Sequence, residues 1–212
     1  MKRFVTAALM AVACVAPSPS SAQVFGQLTP AETAPVNGHL FGVYLHASES
    51  FLGLLTQLRL SFYPGVDFGF HGGLARQDWK GGNRTTLRLG TGLKVKVADQ
   101  VNAMPMAFSM GGDIGLESGD DFHVLTVTPF AVASRTFQLG QSGGVTPYGR
   151  AGIAITNFDV GPLKDTDLSV PVSLGGDFRV SPTLHLAVEL QLHLGDAFND
   201  NVGLAAGVNL PF

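Results

Sequence analysis

A small set of histidines, hydroxyls and carboxylates in this 212-residue chain could support catalysis or metal binding. His185, Glu189 and His193 recur at every fourth position. On a helix that spacing would put three metal-ligand types on one face. His46 and Ser48, next to Glu49, supply the base, nucleophile and acid types of a hydrolase. Asp120, Asp121 and His123 place two acids beside an imidazole. A fourth set is dispersed along the chain: Arg59, Arg88, Lys94, Lys96, Asp113, Arg150, Asp177 and Glu189. Brought together, these charges would line a narrow polar path or pair off and block it. The choice depends on the elements that carry them.

Those elements read as strands. In 183–193, Leu184, Leu186, Val188, Leu190 and Leu192 alternate with His185, Ala187, Glu189, Gln191 and His193, the period of a strand with one apolar face. On a strand the two histidines and Glu189 stand about 13 Å apart per step. Zinc ligands sit about 2 Å from one ion, so one metal cannot join them, and no metal or cofactor is expected. The segment 87–97 repeats the pattern, with Leu87, Leu89, Leu93, Val95 and Val97 against Arg88, Gly90, Gly92, Lys94 and Lys96. The same template predicts ten strands, at 38–47, 53–63, 67–76, 84–98, 103–116, 122–136, 145–157, 167–179, 183–194 and 201–212. Eight or twelve also fit the pattern. No helix-period segment of useful length follows residue 22. The short connections make the sheet antiparallel and all-β.

The connections suggest a second alternation. Those at 63–66, 99–102 and 180–182 are tight, whereas 78–83, 159–165 and 196–201 are longer and rich in charge, Gly and Asn. An even strand number returns both termini to one side.

The N-terminus stands apart. Lys2 and Arg3 precede an apolar stretch at 4–16, and Ser20 and Ala22 are the small residues before a cut at Gln23. This is the layout of a secretory signal peptide, residues 1–22. Cys14, the single cysteine, would leave with it. Residues 23–37 are polar, contain Pro30 and Pro35, and read as an extended tail ahead of a domain at 38–212. A net charge of −3 without a basic run argues against nucleic-acid binding. Charged residues make up 14% of the chain, too few for a disordered chain of this apolarity.

Alternation leaves open whether the apolar face points inward, as in a soluble lipocalin-like binder, or outward, into lipid. Charge is confined to the opposite face, as lipid requires. Aromatics gather near strand ends: Phe62, Tyr63, Phe122, Phe137, Tyr148, Phe158, Phe178 and Phe198. The final segment is apolar at every second position, through Leu204, Val208, Leu210 and the terminal Phe212. This end resembles the terminal strand of bacterial outer-membrane proteins. The chain as a whole resembles small outer-membrane barrels of the OmpA/OmpX/OmpW-like, porin-family kind. The resemblance implies a closed, up-and-down transmembrane β-barrel in the bacterial outer membrane. It implies membrane lipid and the barrel-assembly machinery as partners, the latter reading Leu204, Val208, Leu210 and Phe212.

The expected function is non-enzymatic: envelope structure, surface interaction or a narrow passive pore. One alternative is an outer-membrane lipid hydrolase, since lipid-A deacylases of that membrane also separate His and Ser by one residue, as His46 and Ser48 are. The other is the lipocalin-like binder. Pro105, Pro129, Pro147 and Pro171 depart from the pattern, because Pro removes a ladder bond and every strand of a closed barrel is central.

Overall fold

The computed structural model describes residues 28–79, 82–101, 104–119, 122–140, 143–160, 163–194 and 202–212. Residues 1–27 lie outside them, and with them the expected signal peptide and the start of the tail. Twelve strand segments occur among the described residues: β1 (His39–Ser48), β2 (Phe51–Tyr63), β3 (Val66–Trp79), β4 (Gly82–Ala98), β5 (Ala107–Gly119), β6 (Phe122–Ser134), β7 (Phe137–Leu139), β8 (Gly143–Gly152), β9 (Ala154–Val160), β10 (Leu163–Ser181), β11 (Leu184–Leu194) and β12 (Val202–Pro211). β8 and β9 are one strand interrupted at Ile153, since both lie between β6 and β10. The three-residue β7 pairs with β8 at its edge. The remaining segments pair antiparallel in sequence order, and β12 returns to β1. The result is a closed, ten-strand, up-and-down barrel. Closure satisfies the backbone hydrogen bonds of every strand, which a chain crossing lipid on strands requires.

Alternation now acquires a direction. Leu45 is 61% exposed and Leu74 57%, both on the outer surface, whereas Arg88 and Glu189 are fully buried inside. The apolar face is therefore outside and the polar face inside, the reverse of a lipocalin-like binder. Two tyrosines enter this interior over glycines. A Cβ on Gly175 would lie 2.3 Å from the ring of Tyr148, and one on Gly42 would lie 2.0 Å from the Tyr44 hydroxyl. Tyr148 was expected near a strand end. It lies inside, because its position in β8 falls on the polar face. Phe62 and Tyr63 do face outward at a strand end, 51% and 65% exposed.

Three of the prolines find a structural answer. Pro129 in β6 and Pro171 in β10 both flank the break between β8 and β9. The chain is irregular where two neighbouring strands lack an N–H, and Ile153 donates from its backbone to the Pro129 carbonyl at 3.0 Å. Pro105 lies outside the strands, and β5 starts at Ala107 rather than at the expected 103. Ahead of it, Val101 and Met104 exchange backbone hydrogen bonds.

The connections differ from their expected lengths. Strand pairing runs on to Asp78 and Asn83, and to Asp159 and Lys164, in the segments read as longer loops. In the second of these an exposed ion pair joins Lys164 to Asp159 at 2.6 Å. Conversely, the connection expected to be tight at 99–102 runs from Asp99 to Met106. At 64–65 the expectation holds: Pro64 and Gly65, with φ of 72° at Gly65, have the residue pattern of a type II turn.

Candidate functional site

The candidate site is the barrel interior, and it has two differently filled halves. The half nearer the termini is filled by main chain. Asn37, at φ 63°, turns the chain back before β1, with its N–H on the Ser61 carbonyl at 2.7 Å. Asn tolerates this left-handed conformation better than most residues. Residues 28–34 then run inside the barrel, where Leu28 and Ala31 are fully buried. Leu28 packs with Tyr44, Leu55, Ala187 and Ala205, and Ala31 with Ala107, Phe130, Val132 and Tyr148.

Polar groups of the wall hold this segment. Lys94 Nζ donates to the carbonyls of Pro30 at 2.7 Å and Glu32 at 2.9 Å. The Glu32 carboxylate accepts from the hydroxyls of Ser134 at 2.6 Å and Thr136 at 2.8 Å. The Ala34 N–H donates to Asp67 at 3.1 Å, and Asn209 reaches the Leu28 carbonyl at 3.3 Å. Residues 23–37 were expected as an extended tail. Of that stretch, residues 28–34 lie in the lumen, because the wall supplies partners for their backbone, and 35–37 turn out at its mouth.

The opposite half is filled by side chains. Glu117 collects Arg88 at 2.7 Å, Gln77 at 2.6 Å and Thr86 at 2.5 Å. The guanidinium of Arg88 also lies 4.0 Å from the centre of the Phe51 ring, within cation–π range. Towards the middle, Glu189 accepts from Tyr148 and Gln191 at 2.8 Å each and has Arg150 at 3.5 Å. The space between Asp113, Thr128, Arg150, Ser173 and His193 is about 10 Å³, roughly enough for one water. A larger cavity of about 670 Å³ lies at the termini end, between residues 29–35 and the wall.

Seven of the eight charged residues singled out in the sequence are buried in this interior: Arg59, Arg88, Lys94, Asp113, Arg150, Asp177 and Glu189. Lys96 lies at the rim, with its side chain partly exposed and paired to Asp99 at 2.7 Å. Its position near the end of β4 leaves it beyond the packed interior. Lys94, two residues earlier, is enclosed by the 28–34 segment. His185 Nδ1 pairs with Asp177 at 2.8 Å, far along β11 from His193. Among the described residues no group of three or more His, Cys, Asp or Glu is arranged to hold a metal ion. His46 is buried inside the barrel against Phe51. Of the third candidate set, Asp120 and Asp121 lie outside the described residues, and His123 contacts the Ser118 hydroxyl at 3.0 Å. Leu204 and Leu210 on β12 and Phe212 just beyond it are exposed, and Val208 is half-buried. Phe212 and His39 exchange both backbone hydrogen bonds across the closing seam.

Sequence reasoning missed Glu32, Asp67, Glu117 and Tyr148 as interior residues. For Asp67 and Glu117 the strand period was a usable signal, since each shares parity with an inward neighbour, His71 or Asp113. For Glu32 no local pattern marks a lumenal position.

No family model and no curated protein matches the chain. Solved structures do. The β domain of the Bordetella autotransporter BrkA aligns with a TM-score of 0.54 at 14% identity, covering 84% of this chain and 100% of that one. An outer membrane channel from Pseudomonas putida F1 aligns at 12% identity and TM-score 0.46, over 90% of this chain and 100% of its own. The outer membrane enzyme PagL aligns at 14% identity and TM-score 0.37, over 82% and 98%. At these identities the likeness is one of fold: this chain has the architecture of an outer-membrane β-barrel.

Proposed function

We propose that this chain is a non-enzymatic, integral protein of the bacterial outer membrane, a structural or surface-interaction component of the envelope whose lumen is closed to free solute passage. The observation that carries this reading is the filled lumen. Main chain occupies one half and paired buried charges the other, with space for about one water between Asp113 and His193. A barrel near eight strands is just filled by its own side chains, so at ten strands an added segment suffices to close it. The apolar band on the outer surface, where Leu45, Leu74, Leu89 and Leu174 are exposed, supports residence in lipid. Exposure of Leu204 and Leu210 on the closing strand and of Phe212 just beyond it supports recognition by the barrel-assembly machinery.

The hydrolase reading finds less support. A hydrolase acting on membrane lipid needs its base at the lipid-facing surface, whereas the His46 ring is inside and 1% exposed. The test is electrical. The chain from Gln23 onward is refolded into lipid vesicles, its folding is checked by a heat-dependent gel shift, and current is recorded across a planar bilayer. A silent, folded barrel is expected. Discrete, reproducible current steps from that protein would overturn the closed-lumen reading in favour of a narrow pore.

A further inference from the structure

We infer that the cavity at the termini end is a binding site for a small oxyanion, a carboxylate or a phosphate. This goes beyond the function proposed above and requires no current through the barrel. The cavity of about 670 Å³ is bordered by the Pro182–Thr183 turn, Gly144 and Phe212, and it reaches inward to Arg59, Asp67 and Lys94. Its wall carries Arg59, Lys94 and Arg179 against Glu32, Asp67 and Asp177, so formal charge alone selects no ligand.

Hydrogen-bonding capacity does select one. Each carboxylate is engaged. Ser134 and Thr136 donate to Glu32, Ala34 donates to Asp67, and His185 at 2.8 Å and Asn209 at 3.4 Å meet Asp177. Lys94 is engaged by the carbonyls of Pro30 and Glu32. Among the described residues of this wall, the buried side-chain atoms without a hydrogen-bond partner are Nε, Nη1 and Nη2 of Arg59, Nε of Arg179 and Nδ1 of His39. Four of these five are guanidinium donors, and an imidazole can donate as well. Arg59 is 1% exposed, and its ion-pair partner Asp67 stands 3.5 Å from Nε, too far for a strong hydrogen bond. A buried guanidinium with unused donors is costly, and a planar or tetrahedral oxyanion meets its fork with two parallel hydrogen bonds. Arg59 would anchor the anion at the inner wall by turning its buried nitrogens toward the cavity, with Arg179, whose Nη2 already donates to Gln138, nearer the mouth.

The test uses the refolded barrel in maltoside detergent and phosphate-free buffer, titrated calorimetrically with inorganic phosphate and, separately, with succinate. Saturable one-site binding of at least one probe is expected, and the tighter probe assigns the class. Arg59→Gln should weaken binding at least ten-fold, and Arg59→Lys, which keeps charge but loses the fork, by less. Absence of saturable heat with both probes, from protein shown to be folded by gel shift, overturns the proposal. Unchanged affinity in Arg59→Gln does so too. If Arg59→Gln does not fold, Arg179→Gln carries the test: affinity at least three-fold weaker is expected, and unchanged affinity overturns the proposal.

Discussion

The two halves of the lumen solve one packing problem by different means. Near the termini, a segment of main chain occupies the interior, and the wall meets its carbonyls and N–H groups with Lys94, Ser134, Thr136 and Asp67. In the opposite half no such segment is seen among the described residues, and long side chains from facing strands meet around Glu117 and Glu189. The first arrangement leaves a cavity of about 670 Å³, because a single strand of chain does not match the full cross-section. In the second, the space between Asp113 and His193 is only about 10 Å³, because side chains from facing strands converge there. The difference teaches which contacts are reversible. A segment entering from one end can leave without breaking barrel ladders, whereas the Arg88–Glu117 group cannot separate unless its strands move.

The largest effect is expected in the side-chain half. Glu117→Ala removes the acceptor shared by Arg88, Gln77 and Thr86 and leaves a guanidinium buried without its carboxylate. Loss of one partner of such a pair costs about 3–5 kcal/mol. Urea unfolding of the lipid-refolded barrel should show it as a large drop in midpoint with an unchanged slope. A loss under about 1 kcal/mol would mean that this half is not held by its charge network.

Lys94→Met should act next, and differently. It removes two hydrogen bonds from an ammonium to the carbonyls of Pro30 and Glu32, and the loss falls on the segment inside the lumen rather than on the barrel wall. The expected readout is local. A cysteine placed at Ala31, buried in the native lumen, should become reactive to a maleimide while the barrel keeps its gel shift. Protection of that cysteine in Lys94→Met would show that the segment is held by other groups.

Deletion of residues 28–36 sharpens the comparison electrically. The side-chain half should still seal the barrel, so the deletion alone should give little current. Adding Glu117→Ala to it should give discrete steps. Full-size steps from the deletion alone would assign closure to the segment and none of it to the charge network. The smallest effect belongs outside the lumen: Lys164→Ala breaks the exposed pair with Asp159 and should change stability by less than about 1 kcal/mol in the same unfolding experiment.

Much of the fold was legible. The period of two gave ten strands in the right order, because one face of every strand meets lipid and the other a polar interior, and that contrast is written residue by residue. Leu184, Leu186 and Val188 against His185 and Glu189 is the clearest instance, and β11 lies within one residue of its expected bounds. Strand ends were less legible. Asp78 and Asp159 read as loop residues, yet they are paired in hairpins that continue into water, where polarity no longer distinguishes strand from loop. Tyr148 was read only as an aromatic near a strand end, while its parity in β8 puts it inside.

The sequence by itself therefore determined which face of each strand is polar, since that follows from local alternation, and favoured ten strands over eight or twelve; the closing pair of β1 and β12 fixed the number. Tertiary structure alone decided the partners within that interior. That Lys94 holds residues 28–34 while Arg88 holds Glu117 depends on register and on the turn at Asn37, which bring together residues as far apart as Glu32 and Ser134. Such pairings leave no periodic trace, because each charge is compensated by a group from another strand or from the segment inside the lumen.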